Sequence, residues 1–255
     1  MTHTLPHFFT SKNGQDVAVI GDYEKTIEYA TEHFIQTAKA AITNQGSFFV
    51  ALSGGSTPNA IYKNLSSSKS SEIDWSKVFF FWSDERAVSP TNSESNFFNS
   101  MNAGIKKLPL VKKQVFRMHA EADIEANAAL YEKIIKEHLG LRPFDLIMLG
   151  MGDDGHTASL FPQTKALEES SKWVVANEVA QKKVWRMTMT YPCINRAKNI
   201  VVYILGSAKK TVINKVLFKK NSPPFPIEKI GTDNNKALFI LDIEASAVFR
   251  KNLSD

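Results

Sequence analysis

The triplet Asp154-Gly155-His156 stands inside a glycine-rich string, Gly150-Met151-Gly152-Asp153-Asp154-Gly155-His156-Thr157. Histidine changes charge near neutral pH, and a carboxylate two residues away in a tight turn can orient the ring and steady its charged form. The pair predicts a general base. An Asp-Gly turn capped by a His would use the same letters, so it is the position of the string, directly after an apolar run at 144–149, that favours chemistry. A short helical segment over 157–161 would set a positive helix end beside His156 and disfavour imidazolium, opposing Asp154. The string also contains Gly-x-Gly-x-x-Gly, with Glu178 roughly twenty residues on, where a dinucleotide fold has its ribose-binding acid. Two features oppose that reading. Pro162 would cut short the helix that must follow, and Asp153 and Asp154 put negative charge where a pyrophosphate sits.

Two further strings suit an anion. In Ser53-Gly54-Gly55-Ser56-Thr57-Pro58 the glycines let backbone approach closely, the hydroxyls donate, and Pro58 suits the first turn of a helix. This is a phosphate cradle or a plain strand-to-helix turn, and the residues alone do not choose. It is not a Walker A loop, because the Lys-Ser/Thr ending is missing. Asp84-Glu85-Arg86 follows an apolar strand; Arg86 is a planar, permanently charged fork, while the two acids could position it or a substrate hydroxyl. A solvated ion-pair cluster is the alternative there. Arg186 and Lys209 could add positive charge to the same pocket. His3, His7, His33, His119 and His138 lack an acid-glycine partner and read as structural or surface residues.

These groups need a scaffold. Apolar residues at three- and four-residue steps predict a core-facing helix over 23–43. Strands are expected at 47–52, 78–82, 114–118, 144–149, 173–177, 184–190, 199–205 and 237–241, with helices near 92–101, 124–139 and 209–218 and a final one at the C-terminus. Several strands are continuous apolar runs, which implies a mostly parallel sheet buried on both faces. The expectation is a three-layer, Rossmann-like α/β fold in which residues 1–255 form a single domain. In such sheets ligands sit beyond the carboxyl ends of the strands, where all three strings fall.

With 255 residues, 43% hydrophobic and 22% charged, the chain can bury a sizeable core and is neither disordered nor fibrous. Its lone Cys193 forms no internal disulfide, and the first twenty residues lack a signal-peptide pattern, so a cytoplasmic protein is expected. No apolar run is long enough for a membrane. The net charge of +5 suggests an anionic partner. Lysine pairs such as Lys106-Lys107 and Lys219-Lys220 belong to no nucleic-acid module and read as solvated surface.

Taken together, the strings resemble the 6-phosphogluconolactonases, relatives of the glucosamine-6-phosphate isomerases. The resemblance is carried by the 53–58 loop, by Asp84-Glu85-Arg86 with Val88, Pro90 and Ser95-Asn96, by the run 150–162 ending Ala158-Ser159-Leu160-Phe161-Pro162, and by 186–190 and 206–209. It covers most of the chain in four ordered blocks. It implies hydrolysis of 6-phospho-D-glucono-1,5-lactone, without a redox cofactor or essential metal; no obligate protein partner is evident in the sequence. Asp154 and His156 would be catalytic. Ser53, Gly54, Gly55, Ser56, Thr57, Asp84, Arg86, Arg186 and Lys209 would hold the substrate and its phosphate. The isomerase relatives carry a Glu just before the Pro and end their second block Asp-Glu-Tyr; here those positions are Phe161 and Arg86, which disfavours isomerisation or deamination. A non-catalytic sugar-phosphate sensor is a further alternative, opposed by retention of both Asp154 and His156. One segment departs from the lactonase pattern: a Pro-Ala-Ser type stretch is replaced by Pro226-Ile227-Glu228-Lys229-Ile230.

Overall fold

A computed structural model describes residues 6–250. In chain order the elements are β1 (His7–Thr10), β2 (Asp16–Val19), α1 (Tyr23–Gln45), β3 (Phe48–Leu52), α2 (Ser56–Leu65), β4 (Val78–Trp82), β5 (Asp84–Arg86), α3 (Asn96–Ala103), α4 (Ile124–Leu139), β6 (Leu146–Gly150), β7 (Val174–Val179), β8 (Val184–Met189), α5 (Tyr191–Ile194), β9 (Ile200–Ile204), α6 (Lys210–Phe218) and β10 (Leu238–Leu241). A seven-stranded sheet runs β1-β2-β10-β9-β6-β3-β4, parallel throughout except for the β1–β2 pair. The expected α/β class and its mostly parallel, helix-flanked sheet are therefore present.

Alternating side chains explain the layers. Phe48 of β3 meets Phe34 of α1 edge-on at 5.4 Å, whereas the next residue, Phe49, stacks on Phe79 at 4.9 Å and lies near Phe81, which packs on Tyr131 of α4. Successive strand residues face opposite sides, so α1 and α4 cover opposite faces. Each Phe buried this way contributes roughly 1.5–3 kcal/mol, and the buried side chains form one continuous core. Helix α1 begins where Asp22 accepts from the Lys25 N–H at 2.9 Å and ends at Gly46, whose φ of 77° is left-handed.

The structure departs from expectation in five places. β5, β8 and β7 form a separate antiparallel sheet, and 84–86, expected as loop, is a strand. The chain changes sheets at Ser83, whose N–H donates to Leu52 while its carbonyl accepts from Met189. Residues 114–118 form no strand: the Gln114 amide donates to Trp75 and Val78, and only Val115 bridges to β4. Residues 157–161 form no helix, because Ala158 has a φ of 46° and the chain turns through a Thr157–Leu160 bridge. Beyond β10 the described residues form turns rather than a final helix; residues 251–255 lie outside the described set, as does His3. β1 and β2, which no pattern predicted, close the edge beside β10.

Candidate active site

Four strand ends of the main sheet deliver their loops to one cleft of about 300 Å³. After β3 come Ser53, Gly54, Gly55, Ser56 and Thr57; after β4, Asp84 and Arg86; after β6, Gly152 and His156; after β9, Lys209. Nine of the eleven residues predicted for the site line this cleft. The other two stand directly behind it: Asp154 holds His156, and Arg186 faces Arg86 across the β5–β8 pair.

The base end is built by backbone geometry. The Nδ1 of His156 lies 2.5 Å from Oδ1 of Asp154, which also accepts the His156 backbone N–H at 3.2 Å. Burial works to raise the Asp154 pKa, but the hydrogen bond and charge of His156 and the backbone donors outweigh it and bring the carboxyl down to about 2. An ionised carboxylate only accepts, so Nδ1 carries a proton, and in the neutral tautomer the lone pair is on Nε2. On one face the imidazole stacks on Phe161, centroids 4.0 Å apart and planes 20° from parallel. The orientation therefore comes from Asp154 and Phe161. The helix end expected beside His156 does not exist, since the left-handed Ala158 prevents a helix there.

Gly152 makes this packing possible. A β-carbon there would overlap Nδ1 and Cε1 of His156 and press on Asp154. Gly152→Ala should thus displace the imidazole from its carboxylate and lower kcat by about 10²-fold or more, in line with the usual penalty for a misplaced catalytic group. Circular dichroism unchanged from wild type would show that the loss is local. From behind, the loop is braced by the segment that departs from the lactonase pattern. The Ile227 N–H donates to Gly155 at 3.0 Å, Tyr191 Oη donates to the Pro226 carbonyl at 2.9 Å, and Phe225 packs where Gly155 has no side chain. The segment supports the loop without lining the cleft.

The other end of the cleft is cationic. Gly55, with φ of 112°, caps α2 without a side-chain hydrogen bond, leaving first-turn N–H groups toward the cleft. Gly54 has to be glycine because a β-carbon would overlap the Asn96 amide. Arg86 and Arg186 are directly opposed in register, and the Nε of each is buried without a partner. Like charges opposed on a sheet destabilise it unless an anion sits between them. Burial pulls the Arg186 guanidinium down from its ordinary range; Asp84 counters this and Arg86 adds to it. Asp84 is fixed by the Asn96 amide at 3.0 Å and Ser159 Oγ at 2.6 Å. Glu85 is elsewhere: it accepts from Ser95 and from the backbone of Asn96 and Phe97, capping α3, so it positions the helix and no substrate hydroxyl. Lys209 reaches Asp153 at 2.5 Å, a pair with 76% of the Asp153 side chain exposed and hence readily exchanged for another anion.

Sequence reasoning did not assign Asn96 or Tyr203 to the site, although both line the cleft. Asn96 followed a recognisable cap residue, Ser95, whereas Tyr203 was hidden in an apolar strand run. Of the remaining histidines in the described set, none lines the cleft, and no group of three or more His, Cys, Asp or Glu there is arranged for a metal. Likewise, no described helix is long and apolar enough to cross a membrane.

Comparison with known proteins bears on these features. The family model described as "Glucosamine-6-phosphate isomerases/6-phosphogluconolactonase" matches residues 21–239. A 6-phosphogluconolactonase of Chlamydia pneumoniae is 41% identical over 221 residues, 86% of this chain and 84% of the relative. One from Chlamydia trachomatis serovar D is 38% identical over 236 residues, covering 92% and 91%. Among solved structures, 6-phosphogluconolactonase from Trypanosoma cruzi superposes with a TM-score of 0.82 at 26% identity, over 96% of this chain and 99% of that one. A monomeric glucosamine-6-phosphate deaminase shares the fold, with a TM-score of 0.76 at 23% identity over 91% and 99%.

Proposed function

Because the chain belongs to the glucosamine-6-phosphate isomerase and 6-phosphogluconolactonase family, we propose that it hydrolyses 6-phospho-D-glucono-1,5-lactone to 6-phospho-D-gluconate, a step of the oxidative pentose phosphate pathway. The observation that carries the reading is the shared cleft: a histidine held by an ionised carboxylate at 2.5 Å stands on one wall, and Arg86 with the α2 N-terminus on another.

In this mechanism the substrate phosphate lies against the α2 N-terminus and Arg86, with Arg186 behind and Lys209 released from Asp153. That anchoring holds C1 of the lactone near His156. Nε2 removes a proton from a water molecule as the water oxygen bonds to C1. The resulting imidazolium is stabilised by Asp154. As the tetrahedral intermediate collapses, the bond from C1 to the ring oxygen breaks, and His156 returns the proton to that oxygen, which becomes the C5 hydroxyl. The carboxylic acid formed at C1 ionises in water.

Anchoring and chemistry come from different residues, so they should separate kinetically. Arg86→Ala removes a charge-assisted phosphate contact and should raise KM about tenfold or more with a smaller change in kcat. Steady-state kinetics on the lactone, with inorganic phosphate as competitor, measures both.

Phe161 favours hydrolysis over the amino-sugar chemistry of the isomerase branch. It is 2% exposed and packed under the His156 ring, with no carboxylate at that position to support ring opening. A paired assay tests the reading: the purified protein should open freshly made 6-phosphogluconolactone and release no ammonia from glucosamine 6-phosphate. Ammonia release, with the lactone left to its spontaneous rate, would reverse the assignment. The reading treats residues 1–255 as one cytoplasmic domain whose partner is the small sugar phosphate, not nucleic acid or membrane.

A further inference from the structure

The roles above leave one buried hydroxyl of the cleft unexplained. Tyr203 is 3% exposed and lines the cleft, yet its hydroxyl has no hydrogen-bond partner in the protein. It lies on β9, opposite Gly150 of β6 and beside Ile240 of β10, in a strand otherwise made of Ile and Val. A phenylalanine would fill the same volume without the cost of burying an unpaired hydroxyl, so packing alone does not account for the oxygen.

Tyr62 provides the contrast. It too is fully buried near the cleft, but its hydroxyl accepts from the Ser53 N–H at 3.1 Å and donates to the Ser53 carbonyl at 2.8 Å, so its polar capacity is committed to shaping the 53–58 loop. Tyr203 has no such task. Burial pushes its phenol far above its usual range, which keeps the hydroxyl protonated and able to donate. The phosphate already has guanidinium groups and a helix N-terminus, to which a neutral donor would add little. The ring hydroxyls of a sugar lactone are neutral, and the hydroxyl donors assigned so far, Ser53, Ser56 and Thr57, belong to the loop at the α2 N-terminus.

We propose that the Tyr203 hydroxyl is a specificity-determining group that hydrogen-bonds one ring hydroxyl of the substrate, directly or through one ordered water. The inference rests on the lactonase reading. Its test is Tyr203→Phe, compared with wild type on 6-phosphogluconolactone and on its 2-, 3- and 4-deoxy analogues. Wild type should disfavour one analogue by about tenfold or more in kcat/KM. In Y203F that ratio should fall to about one, because the full substrate loses the contact and the analogue has none to lose. Inhibition by inorganic phosphate should be unchanged, and Tm without ligand should be no lower than wild type.

Three results would overturn the proposal: unchanged ratios for all three analogues, weaker phosphate inhibition in Y203F, or a lower Tm indicating a structural hydroxyl. A wild-type protein that does not open the lactone would overturn this inference and the lactonase reading together. Active wild type with unchanged ratios would count against Tyr203 alone.

Discussion

Replacing His156 with Ala should lower kcat for lactone opening by about 10²–10⁴-fold, the range expected when a positioned general base is removed. KM should stay within a few-fold of wild type, because Arg86, the α2 N-terminus and Lys209 lie on other parts of the cleft. The protein should still fold: the side chain is 24% exposed, and its removal uncovers one face of Phe161 without opening the core beneath β6. Stopped-flow or pH-indicator measurement of acid release gives both constants. A variant that loses binding while keeping kcat would move His156 from the chemistry to the phosphate.

Asp154→Asn should cost nearly as much, about 10²–10³-fold in kcat, for a different reason. The carboxylate accepts the Nδ1 proton and so leaves Nε2 free to take one from water. An amide can present its NH₂ to Nδ1 instead, which would favour the tautomer with the proton on Nε2, where it blocks catalysis. Asp154 also fixes an expectation for pH. A carboxyl depressed from 3.8 to about 2 supports the folded site fully above 3.8, and that support fades as pH falls through about 2. Between pH 5 and 8 Asp154 therefore contributes no titration to the rate profile. A limb in that interval that survives in Asp154→Asn belongs to another group.

Much of this arrangement was legible before any coordinates. Phe48–Leu52, Val78–Trp82 and Ile200–Ile204 are apolar runs of strand length, and burial on both faces of a parallel sheet requires such runs. Asp154 and His156 are neighbours in sequence, so the turn joining them could be read from Asp-Gly alone. Long-range pairing was not legible. Asp84-Glu85-Arg86 carries no strand signal because its role as β5 comes from β8, about a hundred residues away, and from the sheet change at Ser83. Pairing between β7 and β8 was equally invisible, so their strands read as members of the main sheet. The helix expected after His156 is broken by the left-handed Ala158, which no period predicts. The sequence shows that Phe161 stands where the isomerases have an acid, whereas its stacking on His156 depends on a turn seen only in three dimensions.

The excess positive charge is mostly surface. Of the residues behind the formal +5, those the proposed function uses are Arg86 and Arg186, opposed across two short strands, and Lys209, held by an exposed acid. In the proposed function these charges serve a phosphate-sized anion in a cleft of about 300 Å³. Lysines far from the cleft need no ligand to explain them.

The most direct test is the decay of freshly generated 6-phosphogluconolactone in buffer, with wild-type protein and with His156→Ala. Wild type should remove the lactone at a rate proportional to enzyme concentration and far above spontaneous hydrolysis, while the variant at equal concentration stays close to the spontaneous curve. Wild-type decay indistinguishable from buffer, or a variant as fast as wild type, would contradict the proposal that His156 activates water in this cleft.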